Sequence, residues 1–519
     1  MSASADGTSG DSQGRKPKGS PNILLLMTDQ QRYDSLGCYG FEAAHTPNLD
    51  RLASEGAVFE RCYATNPICT PSRSSMFTGK HLHGHGVYSL YGNLPDEEIL
   101  FPEHLRNAGY ETALFGKMHI RSRVLENHER HPNDGFDIYE WCLEASLDID
   151  APMNAYGAWL RENHPEFYER LKKDGRKVLH HPAEVHFTHW AAERTIDFLK
   201  RQDGSRPFFA MMSIFDPHNP YEAWPQEMAA LIDDEKIPDP LSIDNEMDDL
   251  PRGIRQEHEA SYMGAFSKYS KEELRRMRFG YHASIAFSDH EFGRVLDALE
   301  ETGLAENTLV IFVSDHGDML GDHGLLVKGA YFFDPNIRVP LIMRWPARYS
   351  GRQRVSSLVQ VHDLAATILS AAGLDPVAVK EFAPESADLT PLAMQKQERV
   401  RDWAGSLYRN TGISEGGVYF DPQIHATMFM NERYKLSVYH DVDFDGSLPE
   451  PRGTLYDMIS DPDERVNLWN DRAYTEVRLR LMERMLDWEV SQELKYGRRS
   501  TDVQPNSSQR VINDPTRDK

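Results

Sequence analysis

The sequence predicts an α/β protein: a large, mixed but mostly parallel sheet sandwiched by helices, then a smaller C-terminal α+β unit carrying an antiparallel sheet. Three observations carry this. Unbroken apolar runs recur at 22–27 (NILLLM), 207–215 (PFFAMMSIF) and 309–314 (LVIFVS). Strands buried on both faces, as in parallel sheets, read as such runs rather than as alternation. An amphipathic pattern over 279–303, closed by Gly303, and another over 362–372 predict long helices between and after them. Beyond 395 the apolar runs shorten and alternate with turns, around 426–431 and 434–438, before a last helix near 472–494.

The 519 residues accommodate one large domain, 21–394, and a smaller one, 395–490. A 40% apolar fraction suffices for a sizeable core. A net charge of −24 argues against nucleic acid or an anionic membrane as partner, so any anionic substrate must be met by local positive charge. Cys38, Cys62, Cys69 and Cys142 are too few for a disulfide framework. The leader, 1–20, is rich in Gly, Ser and charge, has no apolar h-region and is expected to be disordered. No stretch is apolar enough to span a bilayer, so a cytoplasmic protein is expected. The polar tail, 491–519, is read as disordered or in contact with another subunit.

Polar groups stand at the carboxyl ends of the predicted strands, where α/β sheets place ligands. The first run ends in Thr28-Asp29-Gln30. A short run at 112–115 (TALF) ends in Gly116-Lys117-Met118-His119. The third ends in Asp216-Pro217-His218-Asn219, the fourth in Asp315-His316-Gly317-Asp318. Singly, each has an ordinary explanation: an Asx turn for Asp29, a solvated Lys117, a loop His218. Four at one sheet edge would make one site. Cys69 precedes an expected helix start, with Pro71 at a first helical position and Ser72 able to cap; the helix N-terminus and Arg73 would favour a thiolate there. A buried free cysteine explains the same stretch equally well.

Elsewhere the signals are weaker. His81, His83 and His85 alternate, but the intervening glycines and a helix exit explain them better than zinc does. Asn93 follows a turn and is expected either to form it or to touch substrate. Residues 121–200 read as polar helices and loops that could shape a pocket, and 239–274 as an acidic surface excursion or lid.

Cys69-Thr70-Pro71-Ser72-Arg73, followed by SSMFTG, resembles the sulfatase signature C-x-P-x-R. Further sulfatase-like motifs follow in order across most of 21–470: TPNLDRLASEG at 46–56, Gly116-Lys117-Met118-His119, Pro217-His218-Asn219-Pro220-Tyr221, Asp315-His316, a loop reaching Lys328, RVPLI at 338–342 and LYDMISDPDE at 455–464. The resemblance is to the type I, formylglycine-dependent sulfatases of the alkaline phosphatase superfamily, and it implies an alkaline-phosphatase-like fold. It implies that a formylglycine-generating enzyme converts Cys69 to Cα-formylglycine. It implies one divalent cation, calcium or manganese with zinc admissible, held by Asp29, Gln30, residue 69, Asp315 and His316. Gln30 and His316 replace the family's usual Asp and Asn, as in the arylsulfatase, choline sulfatase and phosphonate monoester hydrolase branch.

The implied reaction is hydrolysis of an aryl, small alkyl or sugar sulfate monoester to alcohol and sulfate through a formylglycine hydrate. Lys117, Lys328 and Arg73 would counter charge on the transferring group, His218 would protonate the leaving oxygen, and His119 would bond the hydrate. Asn93, Lys117, His218 and Lys328 would touch substrate. The alternative is a phosphonate monoester or phosphodiester hydrolase using the same site; Lys117 and His119 favour sulfate. A homo-oligomer, dimer or tetramer, is expected.

Overall fold

The computed structural model describes residues 20–409, 420, 423–440 and 451–496. The expected leader through residue 19 and the tail from 497 lie outside them. Fifteen strands are described: β1 Asn22–Thr28, β2 Ala57–Phe59, β3 Cys62–Tyr63, β4 Glu111–Gly116, β5 Ile138–Trp141, β6 Phe208–Ser213, β7 Thr308–Ser314, β8 Arg338–Val339, β9 Leu341–Arg344, β10 Gln353–Val355, β11 Val359–Gln360, β12 Ala404–Arg409, β13 His425–Met430, β14 Tyr434–His440 and β15 Gly453–Asp457.

Eight of them form the central sheet, in the order β10-β2-β9-β7-β1-β6-β4-β5. The block β7-β1-β6-β4-β5 is parallel, and β9 runs against both its neighbours, β7 and β2. The expected mixed, mostly parallel sheet is therefore present. Alternate residues of each central strand enter opposite cores. Leu24, Leu26, Val310 and Phe312 pack with Trp190, Phe198 and Phe292 from the helices Phe187–Lys200 and Lys271–Glu301. Ile23, Leu25, Met27 and Ile311 pack on the other side with Met76, Phe77, Phe101 and Ile368. Strands covered on both faces have no polar side to show, which is why their sequences are continuously apolar.

The C-terminal unit is the antiparallel sheet β12-β13-β14-β15, covered by the helix Thr475–Tyr496 through Trp488, Leu481 and Met485. That helix runs into the expected polar tail. Other boundaries also move. Pro340 lacks the N–H that one continuous strand would need, so the predicted 337–343 strand is two, β8 and β9. The helix expected from 279 begins at Lys271, where Ser270 accepts from Glu273 N and the Glu273 side chain accepts from Ser270 N. The polar stretch 121–200 contributes the edge strand β5. Among the described residues no helix is long and apolar enough to cross a membrane.

The two units are joined by a buried ion cluster. Lys435 Nζ on β14 lies 2.6 Å from Asp334 Oδ1, Arg338 Nη1 is 3.2 Å from Asp334 Oδ2, and Glu464 Oε2 accepts from Asp334 N at 2.6 Å. Burial pushes Glu464 up to about 7, against the pull of Lys435. Replacing Lys435 by Ala leaves two buried carboxyl groups short of their main counter-charge. We expect Lys435→Ala to cost about 3–5 kcal/mol, read as a lowered denaturant midpoint in equilibrium unfolding; an unchanged midpoint refutes the cluster's structural role.

Candidate active site

Asp29, Lys117, His218 and Asp315 follow β1, β4, β6 and β7, which are adjacent in the sheet. The anticipated convergence is met in full. At Gly116 the chain takes φ 112°, and a Cβ there would fall 2.0 Å from Ser213 O on β6. Glycine permits this approach, lets Lys117 N donate to Ser213 O at 2.8 Å, and turns the lysine onto Asp29 Oδ2.

Cys69 is the first residue of the helix Cys69–Thr78, with Ile68 as N-cap. The start therefore precedes the expected one. Pro71 falls inside the first turn, where an N–H has no intrahelical partner to lose. Ser72 does not cap; its hydroxyl donates to Asp315 O at 2.7 Å and ties the helix to the end of β7. Arg73, one residue on, is wholly buried. Its Nε donates to Asp315 Oδ2 at 2.6 Å, its Nη2 reaches Asp29 Oδ2 at 3.4 Å, and its Nη1 reaches Lys117 O and Ser213 Oγ, each at 3.1 Å. All these acceptors are protein groups, and Arg73 does not line the cavity. From sequence, Arg73 is expected to counter charge on the transferring group; here its guanidinium is directed at protein acceptors.

Ligand atoms of Asp29, Cys69, Asp315 and His316 all lie within 4.8 Å of one another, and all four residues are buried. His316 Nδ1 donates to Gly317 O at 3.0 Å, which turns Nε2 toward Cys69 Sγ at 3.1 Å and toward Asp29 and Asp315 Oδ1, both at 3.7 Å. Gln30, at φ 67°, gives its amide nitrogen to Asp318 Oδ2 at 2.5 Å and Asn219 Oδ1 at 3.4 Å. That fixes the flip of the amide and leaves Oε1 buried without a partner. An orphaned amide oxygen beside two carboxylates and an imidazole suits a divalent cation. Asp318, which Tyr221 OH also bonds at 2.7 Å, orients this ligand, a role the sequence reading left unassigned.

The electrostatics agree. Burial raises Asp29, but Lys117, His218, Lys328 and Arg73 together hold it well below the usual carboxylate range. Burial and Asp29 push the Cys69 thiol up; Lys328, Lys117 and His316 outweigh them and lower it. Burial opposes charge on His316, yet Asp315 and Cys69 raise it above the usual imidazole range. The centre draws positive charge.

Above it opens a cavity of about 270 Å³ whose floor is Cys69, Lys117, Lys328 and His218. Lys328 Nζ lies 3.0 Å from Cys69 Sγ and donates to His218 Nε2 at 2.7 Å, while His218 Nδ1 donates to Asn219 O at 2.6 Å. Burial and Lys328 keep His218 well below its usual range, hence neutral. His119 Nε2 is 3.2 Å from Thr70 Oγ1, whose own hydrogen goes to Leu90 O; the imidazole therefore donates, and Nδ1 has no partner. Asn93 stands apart. It is exposed, does not line the cavity and accepts from Ser122 N, in a distant loop, at 2.9 Å. The walls come partly from the stretch expected to be able to shape a pocket, with Arg123, Leu143, Glu144 and Arg176 from 121–200, and partly from the acidic stretch read as an excursion or lid, with Glu257 and Tyr262 from 239–274.

The chain matches the sulfatase family over residues 21–374, and over 321–491 the family described as N-sulphoglucosamine sulphohydrolase, C-terminal. It is 30% identical over 477 residues to an arylsulfatase of Clostridium perfringens, covering 88% of this chain and 92% of that one. Identity to an N-acetylglucosamine-6-O-sulfatase of Bacteroides thetaiotaomicron is 25% over 523 residues, 89% and 85% of the two chains. The structure is similar to the phosphonate monoester hydrolase of Agrobacterium radiobacter, with TM-score 0.75 and 25% identity over 91% and 96% of the chains. With its signature cysteine, its acidic and imidazole cluster and its sheet in these places, the chain belongs to the sulfatase family of sulfuric ester hydrolases, in the alkaline phosphatase superfamily.

Proposed function

We propose that the protein hydrolyses the sulfate monoester of a small, largely apolar phenol or alcohol. One observation carries this: Cys69, the Asp29–Asp315–His316 cluster and two lysines meet at the floor of a cavity whose walls include Ile68, Leu90, Leu143, Leu147 and Phe215. Cα-formylglycine, made from Cys69 by a formylglycine-generating enzyme, supplies a geminal diol, one hydroxyl as nucleophile toward sulfur and the other as the group that lets sulfate leave. Asp29, Gln30, residue 69, Asp315 and His316 would hold a divalent cation, which would supply Lewis acidity at the reaction centre. Oxygen donors with one imidazole suit calcium or manganese, and zinc accepts the same set.

The chain's own groups do the rest. Arg73 holds the two carboxylates in place from behind. Lys117 and Lys328 present ammonium groups to the equatorial sulfate oxygens, where charge must be matched in the transition state. The leaving oxygen takes its proton from the Lys328–His218 pair. In that pair Lys328 carries the proton and His218, with Nδ1 tied to Asn219 O, offers Nε2 to receive and pass it. His119 Nδ1 is a neutral imidazole base held low by burial and by Lys117, suited to accept the proton of the second hydroxyl.

A second reading, phosphonate monoester or phosphodiester hydrolysis, is favoured by Gln30 and His316 at the metal-binding cluster and by the likeness to a phosphonate monoester hydrolase. Lys117 and His119 weigh toward sulfate. The protein is further proposed to work in the cytoplasm as a homo-oligomer, dimer or tetramer. Support for self-association comes from Leu479, Leu486 and Val490, exposed along one line of the Thr475–Tyr496 helix. Light scattering that returns a monomer mass refutes it.

Four experiments test the reading. The wild-type chain should hydrolyse an aryl sulfate faster than the matching aryl phosphonate monoester, and the peptide bearing residue 69 should have the mass of the aldehyde. Cys69→Ala should lower kcat/KM by about a thousandfold or more, as removal of a covalent nucleophile does; retained turnover overturns the assignment. Dialysis against a chelator should abolish turnover and lower the melting temperature, since a ligand bound only by the folded state stabilises it, and calcium or manganese should restore both.

A further inference from the structure

One cavity side chain has no counter-charge. Glu257, on the helix Arg252–Ala260, lines the cavity yet is only 4% exposed. Its Oε1 accepts from Ala330 N at 2.8 Å, and among the described residues no cation pairs with it. The other charged side chains around the cavity have polar or charged partners. Arg176 pairs with Glu144, Arg123 Nε lies 3.1 Å from Asp148, Lys117 is on Asp29, and Lys328 is on Cys69 and His218.

The groups packed about Glu257 are committed elsewhere too. On its own helix, Arg255 donates to Leu250 O, Arg252 to Gln256 Oε1, and His258 bonds Gly324 O. Facing it, Tyr331 OH donates to Leu326 O at 2.6 Å, Tyr439 OH to Ala330 O at 2.6 Å and Tyr262 OH to Asn219 Oδ1 at 2.7 Å. The opposite wall is apolar and aromatic, with Leu143, Leu147, Phe215 and Tyr91. A buried carboxyl that lines a ligand cavity and lacks a cation is complementary to a cation that the ligand brings.

We propose that Glu257 reads the leaving group, and that the substrate is a sulfate ester whose apolar or aryl alcohol carries a protonated amine. Such a molecule is anionic where it meets Lys117 and Lys328 and cationic where it meets Glu257. The proposal rests on the sulfate-ester reading above and adds the chemistry of the other end. Burial pushes Glu257 up to about 8, only partly offset by the Ala330 N–H. Below that pH the carboxyl is neutral, and an ammonium must displace its proton to bind. Above it the negative charge is already present. Preference for a cationic leaving group therefore rises with pH through about 8, until the amine itself deprotonates near about 10.

The test compares tyramine O-sulfate with its uncharged isostere, para-propylphenyl sulfate. Turnover is measured on the metal-loaded wild-type enzyme and affinity by calorimetry on the Cys69→Ser chain. The ratio of kcat/KM values, and of affinities, should rise about tenfold or more in favour of the amine between about pH 6.5 and about pH 9. In Glu257→Gln, whose amide oxygen can still accept from Ala330 N, the ratio should be about tenfold lower at about pH 9 and flat with pH. A purely structural Glu257 would alter both substrates alike and leave the ratio unmoved. Ratios that are flat with pH in the wild-type protein, or unaltered by Glu257→Gln, overturn the proposal; the wild-type profile decides it even if the variant fails to fold. If neither ester is hydrolysed while the affinity ratio behaves as described, the sulfatase reading fails and the Glu257 assignment stands. If both are hydrolysed without discrimination, the reverse holds.

Discussion

Arg73 is a full positive charge sealed inside the protein, and the carboxylates of Asp29 and Asp315 make that burial tolerable. Removing such an ion from water costs several kcal/mol, recovered only if nearly every donor finds an acceptor in good geometry. Asp315 Oδ2, Asp29 Oδ2, Lys117 O and Ser213 Oγ provide them, one or more from each of the four central strand ends. The guanidinium thus ties the tips of β1, β4, β6 and β7 to the helix that carries Cys69. It also neutralises one side of the two carboxylates, leaving their Oδ1 atoms turned toward the His316 imidazole. The same contact that assembles the sheet edge sets the spacing of the reaction centre.

The departures at Gln30 and His316 make sense as a pair. Each trades a carboxylate or amide for a neutral ligand whose orientation must be imposed from outside. Gln30 is oriented by Asp318, itself held by Tyr221 and by Leu320 N, and His316 by Gly317 O. Asn219 then joins the metal-binding cluster to the cavity, since its Oδ1 receives both Gln30 Nε2 and the hydroxyl of Tyr262. A change in the cavity wall at Tyr262 is two hydrogen bonds from the Gln30 amide.

The central strands and their terminal polar groups were readable because burial on both faces writes a continuous apolar run, and because chance seldom aligns four polar groups after such runs, although each alone has an ordinary explanation. What escaped was set by tertiary contact. β5 and β2 are four and three residues long, too short for any period to register, and they are strands only because β4 and β9 pair with them. Glu257 and Tyr262 sit in a stretch so acidic that it reads as a solvated excursion, yet the loop at Ala330 buries the carboxyl. Asn93 and Ser72 erred the opposite way: each had a local role to offer, as turn or cap, and each instead bonds the backbone of a distant segment, at Ser122 N and Asp315 O. The start of the long helix was legible after all, in Ser270 and Glu273, a capping box that the apolar pattern beyond residue 279 overshadowed.

A chain of net charge −24 that binds an anionic ester has to do so locally. At physiological salt, charges further apart than about 8 Å are largely screened where water lies between them. The acidic exterior therefore slows the approach of an anion without setting its affinity at the floor of a dry cavity. There Lys117 and Lys328 stand within the unscreened range, and the low dielectric that penalises an unpaired charge amplifies a paired one. The same reasoning applies with opposite sign at Glu257, where an acidic surface attracts a cationic group and the cavity holds one uncompensated carboxyl to receive it. A substrate with both charges is met at each end by the local field that suits it, and the long-range field becomes nearly indifferent to its arrival.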